Sequence, residues 1–137
     1  MISMMDTDIC IYTIKRKPIS VLKRLESLQP GMVVMSAITF AELMNGAKKS
    51  FFVEENVRRL HALSELIEVL PFGKNAAAVY GEVRSDLEKR GLVIGGNDLL
   101  IAAHALSLDL TVVTNNDREF SRVKGLKLEN WAADDLP

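Results

Sequence analysis

Four acidic side chains lie where a protein with a parallel β-sheet commonly carries its chemistry. Each comes at or soon after the end of an apolar run, or at the start of an apolar helical segment: Asp6, Glu42, Asp98 and Glu119. Sites in open α/β sheets form where the carboxyl ends of the strands meet. We therefore expect the four carboxylates to border one pocket.

Carboxylates gathered in one pocket repel one another unless a cation lies between them. Carboxylate and water oxygens are the ligands that Mg²⁺ or Mn²⁺ prefers. Such a cation can acidify a bound water, place it in line for attack and neutralise the charge that builds up on a phosphate. The residue types thus predict a Mg²⁺ site, with Mn²⁺ as a substitute.

Each acid also has a purely structural interpretation. Asp6 can cap the helix that follows the first apolar run. Asp98 gains ~0.3–1 kcal/mol from a helix dipole, although Asn97 is expected to cap that helix. Glu42 stands in an apolar stretch and needs a partner, because burying an unpaired charge is expensive. Glu119 can be a surface residue.

Other common catalytic arrangements are missing from the sequence. No Cys and His cluster has zinc spacing, and Gly95-Gly96 lacks the Lys and the spacing of a phosphate-binding loop. Neither Ser36 nor Ser50 lies in a nucleophile elbow. Cys10 is the only cysteine, so we interpret it as a small buried hydrophobe in a protein of the reducing cytoplasm.

The alternation of apolar runs and helical periodicity predicts the elements that hold these acids. Ser36 and Asn97 are expected N-caps and Gly91 an expected C-cap. Strands alternating with helices predict a three-layer α/β/α fold around a parallel sheet of four to five strands, with paired helices linking some strands. The predicted strands are 2–5, 32–35, 69–71 (or a connector), 110–114 and 126–128, and the predicted helices are 6–17, 19–30, 36–49, 57–67, 74–90 and 98–108.

Composition indicates one globular domain over residues 1–137. Hydrophobic residues make up 48% and charged residues 26% of the chain, which is ordinary for a globular protein. No apolar run approaches the roughly 20 residues that cross a bilayer, and the N-terminus lacks a signal-peptide pattern. We expect a cytoplasmic protein without membrane contact.

Charge and apolar patterning point to two kinds of contact. The net charge of −1 does not by itself indicate a nucleic-acid binder, but Lys15-Arg16-Lys17 and Lys48-Lys49 are basic clusters that can surround an acidic centre and hold phosphates. Phe51-Phe52-Val53 falls between two predicted helices. It predicts either a self-association surface or packing beneath a loop.

Four segments, in order along the chain, resemble the motifs of PIN-domain ribonucleases. The resemblance covers essentially the whole chain and is strongest to the VapC toxins of bacterial toxin–antitoxin pairs. Trp131 stands where the family often has a closing tryptophan. The segments are MDTDICIY (5–12), SAITFAEL (36–43, continued by Gly46-Ala47), IGGNDLLIAAHA (94–105) and VTNNDREF (113–120).

The resemblance implies a metal-dependent endoribonuclease. The RNA is often a tRNA, with initiator tRNA as the leading candidate, and a VapB-type antitoxin silences the enzyme. A homodimer and a toxin–antitoxin hetero-oligomer are expected. The implied metal ligands are Asp6 and Asp98 first, then Glu42, with Glu119 acting directly or through water. The supporting residues are Thr7, Asp8, Asn97, Thr114 and Asn116.

Three positions depart from the family pattern. Asp8 stands where Asn is common and adds a negative charge near Asp6. Glu119 replaces the more usual Asp and reaches further. Gly96 stands where Pro is common. No implied metal-binding acid is missing, so activity is expected.

Two alternatives compete with this interpretation. A CheY-like phosphoacceptor domain also gathers acids at strand ends, but it needs an Asp ending a central strand and a Lys ending a late one. Here the second apolar run leads into Ser36, and Thr114 is followed by Asn115. An inactive PIN-fold binding module is the other alternative, and the presence of all four acids argues against it.

Overall fold

The computed structural model describes residues 2–132, so the predicted domain limits at 1 and 137 lie outside the described residues. Five strands and seven helices follow one another along this part of the chain. Their bounds are β1 Ser3–Met5, α1 Thr7–Lys15, α2 Ile19–Glu26, β2 Val33–Ser36, α3 Ala37–Lys49, α4 Val53–Leu66, β3 Glu68–Leu70, α5 Lys74–Arg90, α6 Gly96–Ser107, β4 Thr111–Val113, α7 Asp117–Phe120 and β5 Lys127–Glu129.

The five strands form one parallel sheet in the order β3-β2-β1-β4-β5. Pairs of helices connect β1 to β2, β2 to β3 and β3 to β4. The predicted three-layer α/β/α fold is confirmed, with the upper of the two expected strand numbers. The connection from β3 crosses over β2 and β1, so the order of the sheet reverses between β1 and β4. Ligands of open α/β sheets bind at such a reversal, outside the carboxyl ends of the strands.

The three central strands β1, β2 and β4 are buried on both faces and are mostly apolar, whereas the edge strands β3 and β5 are partly exposed. One face packs on α1 to α4, where Met5, Ile9 and Trp131 are among the least exposed side chains. The other face packs on α5 to α7, around Leu99 and Phe120. Two hydrophobic layers therefore fix the helices that carry the acids.

Local capping signals account for several element ends. The Ser36 hydroxyl accepts a hydrogen bond from the Ile38 amide at 3.0 Å, as predicted for the start of α3. Gly91 ends α5 with φ 67°, a left-handed conformation that glycine adopts without a steric penalty. The Asp6 carboxylate accepts from the Ile9 amide at 3.0 Å, so Asp6 caps α1.

One expected helix cap is wrong. Asn97 does not cap α6; Gly95 holds that position and the helix begins at Gly96, because the Asn97 side chain is drawn to an acid on another helix. Asp8 lies inside the first turn of α1 and does not cap it. The short helix α7 was not predicted; it begins at Asp117, directly after the loop that follows β4.

Element limits otherwise follow the predictions closely. Helix α2 ends at Glu26, before the predicted stop at Pro30, and α4 begins at Val53. The uncertain segment after α4 is a strand, β3, and the last strand, β5, lies at the sheet edge as predicted. Among residues 2–132 no helix combines the length and apolarity required to cross a bilayer.

Candidate active site

Asp6 lies at the point where the sheet order reverses. It directly follows β1, and its backbone amide donates to the carbonyl of Val113 on β4 at 2.9 Å. Only 3% of the residue is exposed. The pKa of Asp6 is raised to about 7, mainly by burial and in smaller part by the negative charges of Asp8 and Asp98, although hydrogen bonds from Thr114 and the Ile9 amide oppose the rise. This carboxyl is therefore costly to ionise in the metal-free protein.

Asp98 enters the same pocket from the first turn of α6. Partial burial raises the pKa of Asp98, and the negative charges of Glu119, Glu42 and Asp8 add to that effect. A hydrogen bond from Asn116 acts in the opposite direction. Because the charges of Asp8 and Asp98 act on Asp6, and those of Asp8, Glu42 and Glu119 act on Asp98, these five carboxylates lie near one another at this edge of the sheet.

Asn116 joins the two acids that come late in the chain. Its side-chain amide donates to Asp98 at 3.2 Å and to Glu119 at 2.6 Å. Its backbone amide donates to the Thr114 hydroxyl at 2.8 Å, and that hydroxyl is the one that bonds Asp6. Thr114 and Asn116 thus orient Asp6, Asp98 and Glu119.

Glu42 projects from the middle of α3 and is held by two supporting residues. The Thr7 hydroxyl donates to one carboxylate oxygen, and the Asn97 amide donates to the other at 2.9 Å. Thr39, one turn before Glu42, lies 3.4 Å from the Thr7 hydroxyl. The predicted need of this carboxylate for polar partners is met by Thr7 and Asn97.

The carboxylates are close enough to interact but do not form a closed cage. Within residues 2–132, no three His, Cys, Asp or Glu side chains are close enough together to hold a metal ion by themselves. Mg²⁺ usually keeps several waters and binds one or two carboxylates together with substrate phosphates. An all-oxygen donor set with a buried, mutually repelling acid pair fits such a cation.

Most of the chain matches the model of one known protein family. The sequence profile of the PIN domain matches residues 3–126. The chain belongs to the PIN-domain family.

This PIN-domain protein is similar in sequence to VapC ribonucleases. It is 44% identical over 132 residues to Ribonuclease VapC2 of Rickettsia felis, covering 96% of this chain and 98% of the relative. It is 43% identical over 129 residues to the tRNA(fMet)-specific endonuclease VapC of Shigella flexneri, covering 94% and 97%. In the crystal structure of VapBC2 from Rickettsia felis bound to a promoter DNA fragment, one chain matches with a TM-score of 0.90 and 43% identity, over 96% of this chain and 99% of that one.

Family and topology together exclude the phosphoacceptor alternative. CheY-like domains have the strand order 2-1-3-4-5, whereas this PIN-domain protein has the order 3-2-1-4-5. The CheY-like alternative is therefore wrong.

The structure also explains the departure at Gly96. This residue is the first of α6, a position where proline is favoured because it has no amide hydrogen to satisfy. A Cβ atom at Gly96 would meet nothing within 4 Å. Glycine here leaves Asp98 in the first turn of the helix.

Several polar contacts that join elements of the PIN-domain protein were not predicted. Tyr12 and Asn115 are hydrogen-bonded to each other at 3.2 Å. His104 is buried, and its Nδ1 lies 2.8 Å from the Ser36 hydroxyl. The only available signal was the position of each residue inside a family-like segment, because their contacts join residues far apart in the chain.

The predicted basic clusters lie at the ends of α1 and α3 that are far from Asp6. Lys15 ends α1 and Lys48-Lys49 end α3, while both helices begin at the acidic edge of the sheet. At 1.5 Å per residue, Lys15 is about 13 Å along α1 from Asp6.

Proposed function

We propose that this PIN-domain protein is a metal-dependent endoribonuclease toxin of a type II toxin–antitoxin pair. The observation that carries the proposal is the buried Asp6, whose pKa is raised to about 7 beside other acids. A divalent cation would offset both the burial and the repulsion. Without such a function, a carboxylate so unfavourably placed has no evident structural benefit beyond its helix cap.

The residues divide into those that hold the cation and those that orient them. Asp6 and Asp98 are the proposed direct ligands of Mg²⁺ or Mn²⁺, and Glu42 and Glu119 complete the site directly or through water. A cation bound there supplies Lewis acidity, which activates water and neutralises charge on the phosphate. The orienting residues are Thr7, Asn97, Thr114 and Asn116.

The proposed substrate is RNA, and most specifically a tRNA. Its support is the similarity to a VapC endonuclease whose name specifies tRNA(fMet), which makes initiator tRNA the leading candidate. Lys15-Arg16-Lys17 and Lys48-Lys49 would hold phosphates distant from the cut. Replacing these basic residues by neutral ones should weaken RNA binding and make its affinity less dependent on salt. The cleavage rate at saturating RNA should change less.

Cleavage of labelled tRNA tests this proposal. The purified protein, freed of any antitoxin, should cut initiator tRNA in Mg²⁺ or Mn²⁺, stop in EDTA and recover when either metal is restored. Elongator tRNAs serve as the comparison for specificity. Cleavage that continues unchanged in EDTA would contradict the metal mechanism. A protein that cuts no RNA even with Mg²⁺ or Mn²⁺ present would support the alternative of an inactive binding module.

The proposed partner is a VapB-type antitoxin that binds beside the acids. Its support is the likeness to chains of VapBC complexes from Rickettsia felis and nontypeable Haemophilus influenzae. A groove of about 360 Å³ runs between α1, α3 and α4, with Ile11, Ile14 and Leu43 along it and Glu42 in its wall. Lys15 and Arg59 also line it, so an apolar segment bearing acidic residues is the expected occupant.

A matched pair of glycine substitutions tests the groove. Gly46 lines it, Gly81 lies on α5, and a Cβ atom at either would meet nothing within 4 Å. Gly46→Leu should weaken antitoxin binding at least tenfold while cleavage without antitoxin persists. Gly81→Leu should leave both unchanged. Equal antitoxin affinity in the two variants would exclude this groove as the docking place.

We also propose that the protein forms a homodimer through Phe51 and Phe52. Their rings are 4.9 Å apart, and the residues are 92% and 64% exposed. Packing beneath a loop is excluded by that exposure. Two such pairs meeting across a symmetry axis would remove four aromatic rings from water.

A further inference from the structure

A short chain of neutral polar side chains lies beside the acidic centre. The Asn115 amide donates to the Tyr12 hydroxyl at 3.2 Å, and the Asn130 amide donates to Asn115 Oδ1 at 3.1 Å. Tyr12 belongs to α1, Asn115 to the loop after β4, and Asn130 follows β5. Elements from both ends of the chain therefore converge at this point.

Asn115 is placed at the pocket by its two neighbours in sequence. Thr114 bonds Asp6, and Asn116 bonds both Asp98 and Glu119. The backbone of Asn115 lies between these two anchors, and the residue is exposed. Its side chain is thus available to a molecule bound at the acids.

Tyr12 is placed at the pocket by the geometry of α1. It follows Asp8 by one helical turn, so the two share a face of the helix. The negative charge of Asp8 raises the pKa of both Asp6 and Asp98, which means that this face borders the acids. Tyr12 is half-buried, with its hydroxyl at Asn115.

Both side chains retain hydrogen-bonding capacity after the contacts described above. The Tyr12 hydroxyl accepts from Asn115 and keeps its own O–H to donate. Asn115 uses one N–H and one lone pair, and it keeps one of each. The pair offers donors and an acceptor without a formal charge.

The chemistry of the pair favours a nucleobase over a phosphate. Cationic side chains bind a phosphate most strongly, and the hydrogen bonds of Tyr12 and Asn115 join only neutral side chains. The carboxylates nearby would repel a phosphate that is not bridged by a cation. Unpaired bases are read by amides and hydroxyls on their edges and by aromatic rings on their faces.

We propose that Tyr12 and Asn115 form a base-reading subsite next to the metal centre, which recognises the nucleobase adjacent to the phosphate that is cut. This proposal rests on the proposed ribonuclease function. Tyr12 and Asn115 are specificity residues of that reaction, and Asn130 positions the Asn115 amide.

Sequencing the products of a stem–loop RNA with a randomised loop tests the subsite. The full-length protein in saturating Mg²⁺ should favour one nucleotide beside the cut. Tyr12→Phe and Asn115→Ala should each reduce that preference roughly tenfold, with an unchanged half-saturating Mg²⁺ concentration. Tyr80→Phe, which removes a hydroxyl bonded to Arg84 on α5, and Asn75→Ala, at an exposed asparagine, are matched controls and should keep the preference.

Several results would contradict the proposed subsite, and each can be distinguished from a result that contradicts the ribonuclease proposal. A wild-type preference that both variants retain would contradict it. So would a uniform loss of rate on all sequences with altered Mg²⁺ dependence, because the residues would then support the metal centre. Weakened inhibition by the antitoxin with unchanged preference would make the pair a protein contact. Absence of any RNA cleavage by the wild-type protein would instead refute the ribonuclease proposal itself.

Discussion

At the scale of single residues, Asp6 links the stability of the protein to its function. Its pKa is raised to about 7 from the ordinary value of 3.8. Between these values the folded state holds a proton that the unfolded state has lost. The free energy of unfolding of the metal-free protein therefore falls as the pH rises from about 4 to 7, by as much as about 4 kcal/mol from this group.

Replacing either principal ligand by its amide should abolish cleavage and leave the fold intact. Asp6→Asn keeps the volume, and Asn caps a helix as well as Asp does. In EDTA, Asp6→Asn should melt several degrees above wild type at pH 8 and close to it at pH 4. Asp98→Asn should show a smaller gain.

Thermal melting and tRNA cleavage across this pH range measure both effects. Asp109→Asn, at an exposed acid, is the control and should keep both the activity and the pH dependence of wild type. Substantial cleavage by Asp6→Asn or Asp98→Asn would show that the ligand assignment is wrong.

Asp8 provides a second prediction at this scale. It is exposed and does not cap α1, so its effect on the site is electrostatic. Asp8→Asn should raise the half-saturating Mg²⁺ concentration up to about fivefold, since an exposed charge contributes at most about 1 kcal/mol. The rate at saturating Mg²⁺ should be equal or higher, because RNA phosphate is repelled less.

Initial rates measured over a Mg²⁺ titration decide the role of Asp8. Curves that coincide with wild type would mean that its charge does not reach the cation. Complete loss of activity would instead make Asp8 an essential ligand. Asp109→Asn is again the control.

At the scale of elements, His104 connects the helices that carry the acids. It lies on α6, and its Nδ1 is 2.8 Å from the Ser36 hydroxyl at the start of α3. Because that hydroxyl already accepts from Ile38, its hydrogen can be donated to Nδ1. The other ring nitrogen bonds the backbone of Pro71. The neutral ring therefore joins α3, α6 and the segment after β3.

The charge state of His104 should affect stability in acid. Burial lowers the pKa of His104 below its ordinary value of 6.5, and the bond to Pro71 only partly opposes this. The stabilisation is complete above pH 6.5 and is lost as the pH falls below it, because the unfolded state then binds the extra proton. In the Asp6→Asn background, which removes the opposite effect of Asp6, the melting temperature should fall between pH 7 and pH 5.

In the same background, His104→Gln should lower the free energy of unfolding at pH 7 by roughly 1–3 kcal/mol, because the buried partners of the ring lose their hydrogen bonds. Its melting temperature should no longer fall between pH 7 and pH 5. His61→Gln, which removes the other histidine, should retain this fall. A pH dependence that persists in His104→Gln would assign the fall to another group.

At the scale of the whole molecule, the exposed aromatic pair predicts association. Phe51→Ser with Phe52→Ser should convert a dimer into a monomer at tens of micromolar, as measured by light scattering. Stability should be unchanged, because both side chains are exposed and serine is a favourable N-cap for α4 at position 52. Leu66→Ser, at another exposed apolar residue (81%), is the control. A wild-type protein that is monomeric at this concentration would contradict the proposed dimer.

The sequence by itself determined the elements and the principal acids. Strand burial, helix periodicity and the caps at Ser36 and Gly91 are signals of a few neighbouring residues, so they can be read without knowing the partners. Asp6 and Asp98 were found for the same reason, because each stands at the end of an element. The ordered motifs then indicated the family.

Only the tertiary structure decided how distant segments meet. The reversal of the sheet between β1 and β4 depends on which side the connection from β3 crosses, and several orders satisfy the same apolar pattern. That reversal brings Thr114 to Asp6 and places Asn115 against Tyr12. The tertiary structure also explains why Asn97 does not cap α6. Its side-chain amide donates to Glu42 on α3, a partner that is distant in sequence.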